Sequence, residues 1–204
     1  MNERSFSFIK FILEVIMIKK DKKSIVLEST LELVSEQGIY STSMSQIAKH
    51  AKIAVGTIYL YFPNKEDLIN SLYFNIKTDL ADYVFKSYSE DNSIEERFFI
   101  LFKNIINYFI KHPKEFSFVE QYVNSSMIPS HIKEEVVDVF KKANNLFKEA
   151  YEEKVIKDLP IEMLIALIDG AIFSIVRLYL KGNIKIDEDI INSGINAIWD
   201  SIKR

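Results

Sequence analysis

The chain has 204 residues, 48% of them apolar and 27% charged, with a formal net charge of −3. That is enough apolar material for one large core or two modest ones, while five glycines and four prolines leave little for a turn-rich β architecture. Cysteine is absent, which excludes a disulfide framework and thiolate metal sites and fits a reducing, cytoplasmic compartment.

In chain order, the first eighteen residues, MNERSFSFIKFILEVIMI, are apolar and aromatic. They make a poor secretory signal, because Glu14 interrupts the run and no small-residue cleavage site precedes KKDKK. Two readings stay open for residues 1–18: an N-terminal extension helix, or a mis-annotated start with Met17 as the true first residue. From Asp21 to Tyr40, DKKSIVLESTLELVSEQGIY predicts a helix with Leu27, Leu31 and Val34 on one face and Gly38 placed to end it in a left-handed cap. Ser43 then caps a short helix whose Met44, Ile47 and Ala48 point one way, and Ala51 to Ile53 carry the chain round a turn. A second short helix follows from about Ala54 to Tyr61. Its front is small (Ala54, Gly56, Thr57), and Ile58 and Phe62, four apart, anchor it from below. This is the pattern of a helix-turn-helix, whose second helix offers its N-terminal residues to the DNA major groove.

The stretch from Lys22 to Leu68 resembles the DNA-binding domain of the TetR (tetracycline-repressor-like) transcriptional regulators. The matching pieces are the aromatic-containing turn at Gly38, Thr42-Ser43, Ile47-Ala48, Gly56-Thr57-Ile58-Tyr59, Tyr61-Phe62 and Lys65-Glu66. Two positions depart from the family pattern. Lys52 stands where the turn often has glycine and Ala54 where a Ser or Thr cap is common, each at a cost of about 1 kcal/mol. Val55 replaces a residue that is often basic or polar in relatives, so the preferred operator is harder to infer than DNA binding itself.

Charge is divided unevenly. Residues 19–68 hold seven lysines against six acidic residues, whereas 69–204 hold seventeen basic against twenty-one acidic. DNA affinity then rests on local contacts to phosphates and not on a general cationic field.

Beyond Leu68 the sequence predicts six more helices, for an all-α chain with domains at 19–68 and 69–204. Asn64 caps a linker helix from Lys65 to about Tyr88, and Ser93 opens IEERFFILFKNIINYFIKH, closed by Pro113. KEFSFVEQYVNS is a shorter helix, and Pro129-Ser130 start one long helix, HIKEEVVDVFKKANNLFKEAYEEK. Asp158 caps and Pro160 begins the most apolar segment, IEMLIALIDGAIFSIVRLYLKG, and Asp187 begins the last helix. Between Pro160 and Leu180 eleven Leu, Ile, Val and Phe are offset by Glu162, Asp169 and Arg177, so a membrane span at best breaks even; a helix buried on two sides is the better reading.

Three helices followed by six is also what the resemblance implies: an N-terminal DNA-binding domain and a C-terminal domain for ligand binding and dimerisation. In relatives the last two helices form a four-helix dimer seam, which here would use Ile172, Ile175, Leu178 and Tyr179 with Ile191, Ile195, Ile198 and Trp199. Two readers about 34 to 36 Å apart would then meet successive major grooves of double-stranded operator DNA. Resemblance and geometry together give Thr42, Ser43 and Ser45 phosphate contacts, Gly56, Thr57, Tyr59 and Leu60 the groove face, and Tyr61 and Lys65 further phosphate clamps.

The second domain is rich in aromatics, which at helical spacing more often build a core than a ligand site. Relatives use a cavity among these helices for an apolar or amphipathic effector, and Phe98, Phe102, Phe118, Tyr122 and Phe173 are the candidate lining. Arg177 is the sharper candidate, because a guanidinium in an apolar helix needs a partner, either an effector carboxylate or an internal acid such as Asp169 or Glu120. No enzyme is indicated. His50, His112 and His131 are scattered, no metal-ligand spacing or glycine-rich phosphate loop occurs, and no cofactor is implied. Two functions remain: a ligand-responsive homodimeric repressor, or a DNA-bound structural or partner-interaction protein with a solid aromatic core.

Overall fold

The structure, a computed structural model, describes residues 22–204 except 124, 126, 127 and 186. The two readings of residues 1–18 lie outside the described residues. The described chain is all helical, with the reader at its N-terminal end and a helical domain behind it.

Helix α1 is helical over residues 22–37 and stops where Gly38 takes φ +89° and donates its N–H to the Val34 carbonyl at 2.9 Å. A Cβ-bearing residue is strained at that angle, which explains the glycine. Helix α2 (Met44–His50) opens with a reciprocal cap: Gln46 N–H donates to Ser43 Oγ at 3.2 Å and Ser43 N–H to Gln46 Oε1 at 2.7 Å. The turn that follows places Lys52 at φ +55°, so lysine does sit in the conformation glycine usually fills. Helix α3 (Val55–Tyr59) starts at Ala54, which supplies no side-chain cap. Val26, Val34, Ile39, Ile47, Ile58, Phe62 and Leu68 close the core beneath these helices.

Helix α4 (Lys65–Phe85) is capped by Asn64, whose Oδ1 accepts the Asp67 N–H at 2.8 Å, and it ends three residues before the expected Tyr88. Its front buries Leu68 and Ile69 and its rear Ile76, Leu80 and Val84, so one rigid element serves both parts of the core. Helix α5 (Ile94–Lys111) lies at the centre of the second domain, packed by α4, α6 (Pro113–Val123), α8 (Lys141–Glu152), α9 (Ile161–Leu180) and α10 (Glu188–Ile202). Phe98 anchors this centre, with its ring 4.5 Å from Phe102 and 4.8 Å from Trp199. Arg97, buried on the same helix, holds Glu149 of α8 with two hydrogen bonds of 2.8 and 2.5 Å.

The single long helix expected after Pro129 is two: α7 (Ser130–Val139) and α8, broken at Phe140. Phe140 leaves helical geometry at φ −98°, ψ 22°, and Asn144 Nδ2 donates to the Val137 carbonyl freed by the break, at 3.1 Å. The kink turns the Phe140 ring inward against Phe85, 6.0 Å away. The described chain thus has ten helices, three in the reader and seven behind. Helix α9 begins at Pro160, while Asp158 accepts the Tyr151 hydroxyl at 2.7 Å and does not cap it. It is the one described helix long and apolar enough to cross a membrane by length and composition. Leu164, Ile168, Ile172 and Val176, spaced by four, are buried in the domain core.

Candidate nucleic-acid interface and internal cavity

At the reader, the structure separates the nine expected DNA contacts by what their atoms already do. Ser43 and Ser45 are exposed at the start of α2, Gly56 and Tyr59 are exposed on α3 and Leu60 just after it, Tyr59 at 50% and Leu60 at 78%. A Cβ added at Gly56 would meet nothing within 4 Å, so the fold places no demand for glycine there and the helix front stands open to close approach. Thr57 and Tyr61 are half-buried.

Two of the nine face inward. Thr42 is 1% exposed; its hydroxyl donates to the Gly38 carbonyl at 2.9 Å and accepts from Gln37 Nε2 at 3.3 Å. A phosphate cannot reach it, and its role is to close the turn between α1 and α2. Lys65 is half-buried and donates from Nζ to the Ile39 carbonyl at 2.6 Å, bracing the start of α4 against that same turn; burial lowers its pKa. Tyr40, 77% exposed beside Ser41 and Ser43, was not among the expected contacts. An aromatic at a loop tip with no apolar partner in the sequence was the signal available.

Behind the reader, α4 to α9 line a partly open cavity of about 570 Å³, within the roughly 300–1,000 Å³ usual for small-molecule sites. Of the six expected lining residues, Phe102, Phe173 and Arg177 reach it and Phe98, Phe118 and Tyr122 do not. Phe98 is held in the core by Trp199. Phe118 stacks on Tyr122 at 5.7 Å, and the Tyr122 hydroxyl donates to Asn70 Oδ1 of α4. Those three were misplaced because periodicity marks a buried face without saying whether a void or a side chain lies beyond it.

Arg177 has an internal partner: its Nε donates to Glu120 Oε1 at 2.7 Å and its Nη2 to the same oxygen. The cavity's other charges are Lys77 of α4 and Asp169 of α9. Lys77 Nζ lies over the rings of Phe140 and Tyr73, 5.2 and 5.8 Å from their centres, with no hydrogen bond or direct ion pair. Burial lowers the Lys77 pKa, opposed by Asp169; burial raises the Asp169 pKa, opposed by Lys77; and the Tyr73 phenol is pushed up to about 12 by burial. Asp169 lines the cavity and is exposed, so a ligand entering from solvent can reach it. Lys77 follows Tyr73 by four residues on the apolar face of α4, a register that marks it as inward-facing.

One wall of the cavity is mechanically tied to the reader. Glu120 binds Arg177. Its neighbour Gln121 accepts the Ile39 N–H at 3.2 Å and donates to the Val34 carbonyl at 3.4 Å, and the next residue, Tyr122, holds Asn70 of α4. Lys114 adds an ion pair to Glu32 of α1 at 2.6 Å. Helix α6 therefore touches cavity, reader and linker within one turn.

The residues expected at the dimer seam fall into two groups. Ile172, Ile191, Ile195, Ile198 and Trp199 are 6% exposed or less, because they pack within their own protomer; they do not form a seam. Ile175 and Tyr179 are half-buried, and Leu178 is exposed at 42%. The exposed large apolar side chains of these helices are instead Met163, Leu167 and Leu178 on one face of α9, Ile165 and Leu180 elsewhere on it, and Ile190 on α10.

Comparison with known proteins agrees with this architecture. Residues 26–72 match the family described as bacterial regulatory proteins, tetR family, and residues 93–203 match the tetracyclin repressor-like C-terminal domain. An uncharacterized HTH-type transcriptional regulator of Haemophilus influenzae is 30% identical over 104 residues, 51% of this chain; the match spans only 56% of that relative. A TetR family transcription regulator from Marinobacter aquaeolei VT8 has the same fold, with a TM-score of 0.85 at 22% identity over 92% of this chain and 99% of that one. The transcriptional regulator FadR from Bacillus subtilis, solved in complex with stearoyl-CoA, gives a TM-score of 0.66 at 19% identity over 87% of this chain and 95% of that one. All three are named as transcription regulators. With a family match over more than half its length, following a helix-turn-helix reader, the chain belongs to the tetR family of bacterial regulatory proteins.

Proposed function

We propose that this chain is a cytoplasmic, homodimeric repressor that is released from double-stranded operator DNA by a small apolar or amphipathic effector. The observation that carries the reading is the cavity of about 570 Å³ whose α6 wall is hydrogen-bonded to the end of α1 and to α4. An effector that fills the space must act on Arg177, Glu120 or the aromatic walls, and any shift of α6 bears on the reader through Gln121 and on the linker through Tyr122. The solid-core alternative loses support because a void of this size is present. The complex of the Bacillus subtilis FadR with stearoyl-CoA supports an amphipathic occupant for this kind of cavity.

Within this reading, Ser43, Ser45 and Tyr61 contact phosphates, and Gly56, Thr57, Tyr59 and Leu60 face the groove. Met163, Leu167, Leu178 and Ile190 meet their counterparts in a second copy, covering the apolar face of α9 that the protomer leaves open. Thermal melting of the purified protein with chain-matched fatty acids, acyl thioesters and alkylammonium compounds tests it. A saturable rise in Tm with at least one class, together with loss of DNA binding, is expected; no stabilisation by any of them favours a regulator without an effector.

A further inference from the structure

The cavity's charges are not equivalent. Arg177 and Glu120 satisfy one another, whereas the three N–H donors of Lys77 have no acceptor and its ammonium is held only over two aromatic faces. A half-buried ammonium against apolar walls, with no acceptor, calls for an anion. Asp169 is the nearest opposite charge, yet it is too far away for a direct ion pair and itself has no hydrogen-bond partner. Between these two polar ends and the apolar walls of Leu80, Phe102, Phe140 and Phe173, the cavity is built for an elongated apolar molecule with a small polar head.

Building on the effector reading, we propose that the occupant is an amphipathic monocarboxylate whose head sits between Lys77 and Asp169. The ligand carboxylate accepts from Lys77 and shares a single proton with the Asp169 carboxyl, so ammonium plus the singly protonated carboxyl pair is neutral. Two carboxylates in one site hold one proton more tightly than either does alone. Burial already raises the Asp169 pKa, so uptake of the proton is favoured. The other titratable groups at the wall are Lys77 and Tyr73 from α4, Glu120 from α6 and Arg177 from α9; α5, α7 and α8 contribute none. A cationic head can pair with the Asp169 carboxylate but leaves Lys77 without an acceptor, because an ammonium has no lone pair to offer a second ammonium.

The test is calorimetric titration of the intact protein with dodecanoate, methyl dodecanoate and dodecylammonium at pH 6, 7 and 8. Dodecanoate is expected to bind at least tenfold more tightly than the ester at pH 7, to take up one proton on binding and to weaken as pH rises. Lys77→Met should abolish the preference over the ester while leaving ester binding intact, and Lys77→Arg should retain it. Asp169→Asn should flatten the pH dependence. Equal affinity for acid and ester, tighter binding of the ammonium, or a preference that survives Lys77→Met overturns the headgroup assignment while the effector reading stands. Binding of none of the three overturns both.

Discussion

Gln121 of α6 accepts the Ile39 N–H at 3.2 Å across 82 positions of sequence, at the turn where α1 hands over to the helix-turn-helix. The residue before it holds the cavity's arginine and the residue after it holds the linker helix. Gln121→Ala leaves the Ile39 N–H without its partner, while the Val34 carbonyl keeps the Gly38 N–H, at a cost of about 1–2 kcal/mol. The expected phenotype is specific: ligand affinity unchanged by calorimetry, with ligand-induced release from DNA blunted in a mobility-shift titration. Unaltered release would mean that the signal travels elsewhere, for instance through α4 alone.

Thr42 and Thr57 should respond oppositely. Thr42→Val removes a buried hydroxyl from the Gly38 carbonyl and should lower stability by about 1 kcal/mol, with the folded protein binding DNA as before. Thr57→Ala removes a half-buried side chain from α3, the helix we propose faces the groove, and should alter which base pairs are preferred, with little change in Tm. Selection from a randomised DNA pool, alongside thermal melting of each variant, separates the two.

The fold was legible because its signals are local. Ser43 with Gln46, Asn64 with Asp67, Ser93 with Glu96, and Gly38 are caps that declare themselves within four residues, and each forms as its sequence implies. The break at Phe140 carries no glycine or proline to announce it; it arises because the ring packs inward against Phe85. The site was legible only as a chemistry. Arg177 drew notice as a charge in an apolar helix, while among the described residues that line the cavity the cation lacking a partner is Lys77, inconspicuous in a linker helix with charges on its other faces. Which apolar residues face a void, a neighbouring helix or a second protomer depends on tertiary placement, so Phe98, Phe118 and Trp199 could not be told from Phe102, Phe173 and Leu178 by spacing.

That last distinction is itself testable. Leu167→Arg, on the exposed face of α9, should leave the protomer folded but shift it from dimer to monomer in sedimentation, with operator affinity falling at least tenfold. Trp199→Ala, in the core against Phe98, should cost about 3–5 kcal/mol and lower Tm steeply instead. A folded Leu167→Arg dimer would place the seam elsewhere.

Asp169 gives a pH signature in the unliganded protein. Burial raises its pKa above the ordinary 3.8, so the folded state favours the protonated form, and its carboxylate is a liability once pH exceeds the raised value. Asp169→Asn should therefore increase stability at neutral pH, with the gain shrinking as pH falls toward about 4. Denaturant titrations at four pH values between 4 and 8 would show it; a gain that is constant or grows on acidification would contradict a raised Asp169 pKa.

Because the chain has no cysteine, Glu28→Cys at an exposed position of α1, outside the expected DNA contacts, allows one spin label per protomer without further changes. Double electron–electron resonance on the labelled protein, with operator DNA, without it, and with saturating dodecanoate, measures the separation of the two readers. One narrow inter-protomer distance on DNA that moves by several ångströms when dodecanoate occupies the cavity is the predicted result. A distance that stays fixed with the cavity occupied, or no inter-protomer distance at all, would contradict the account.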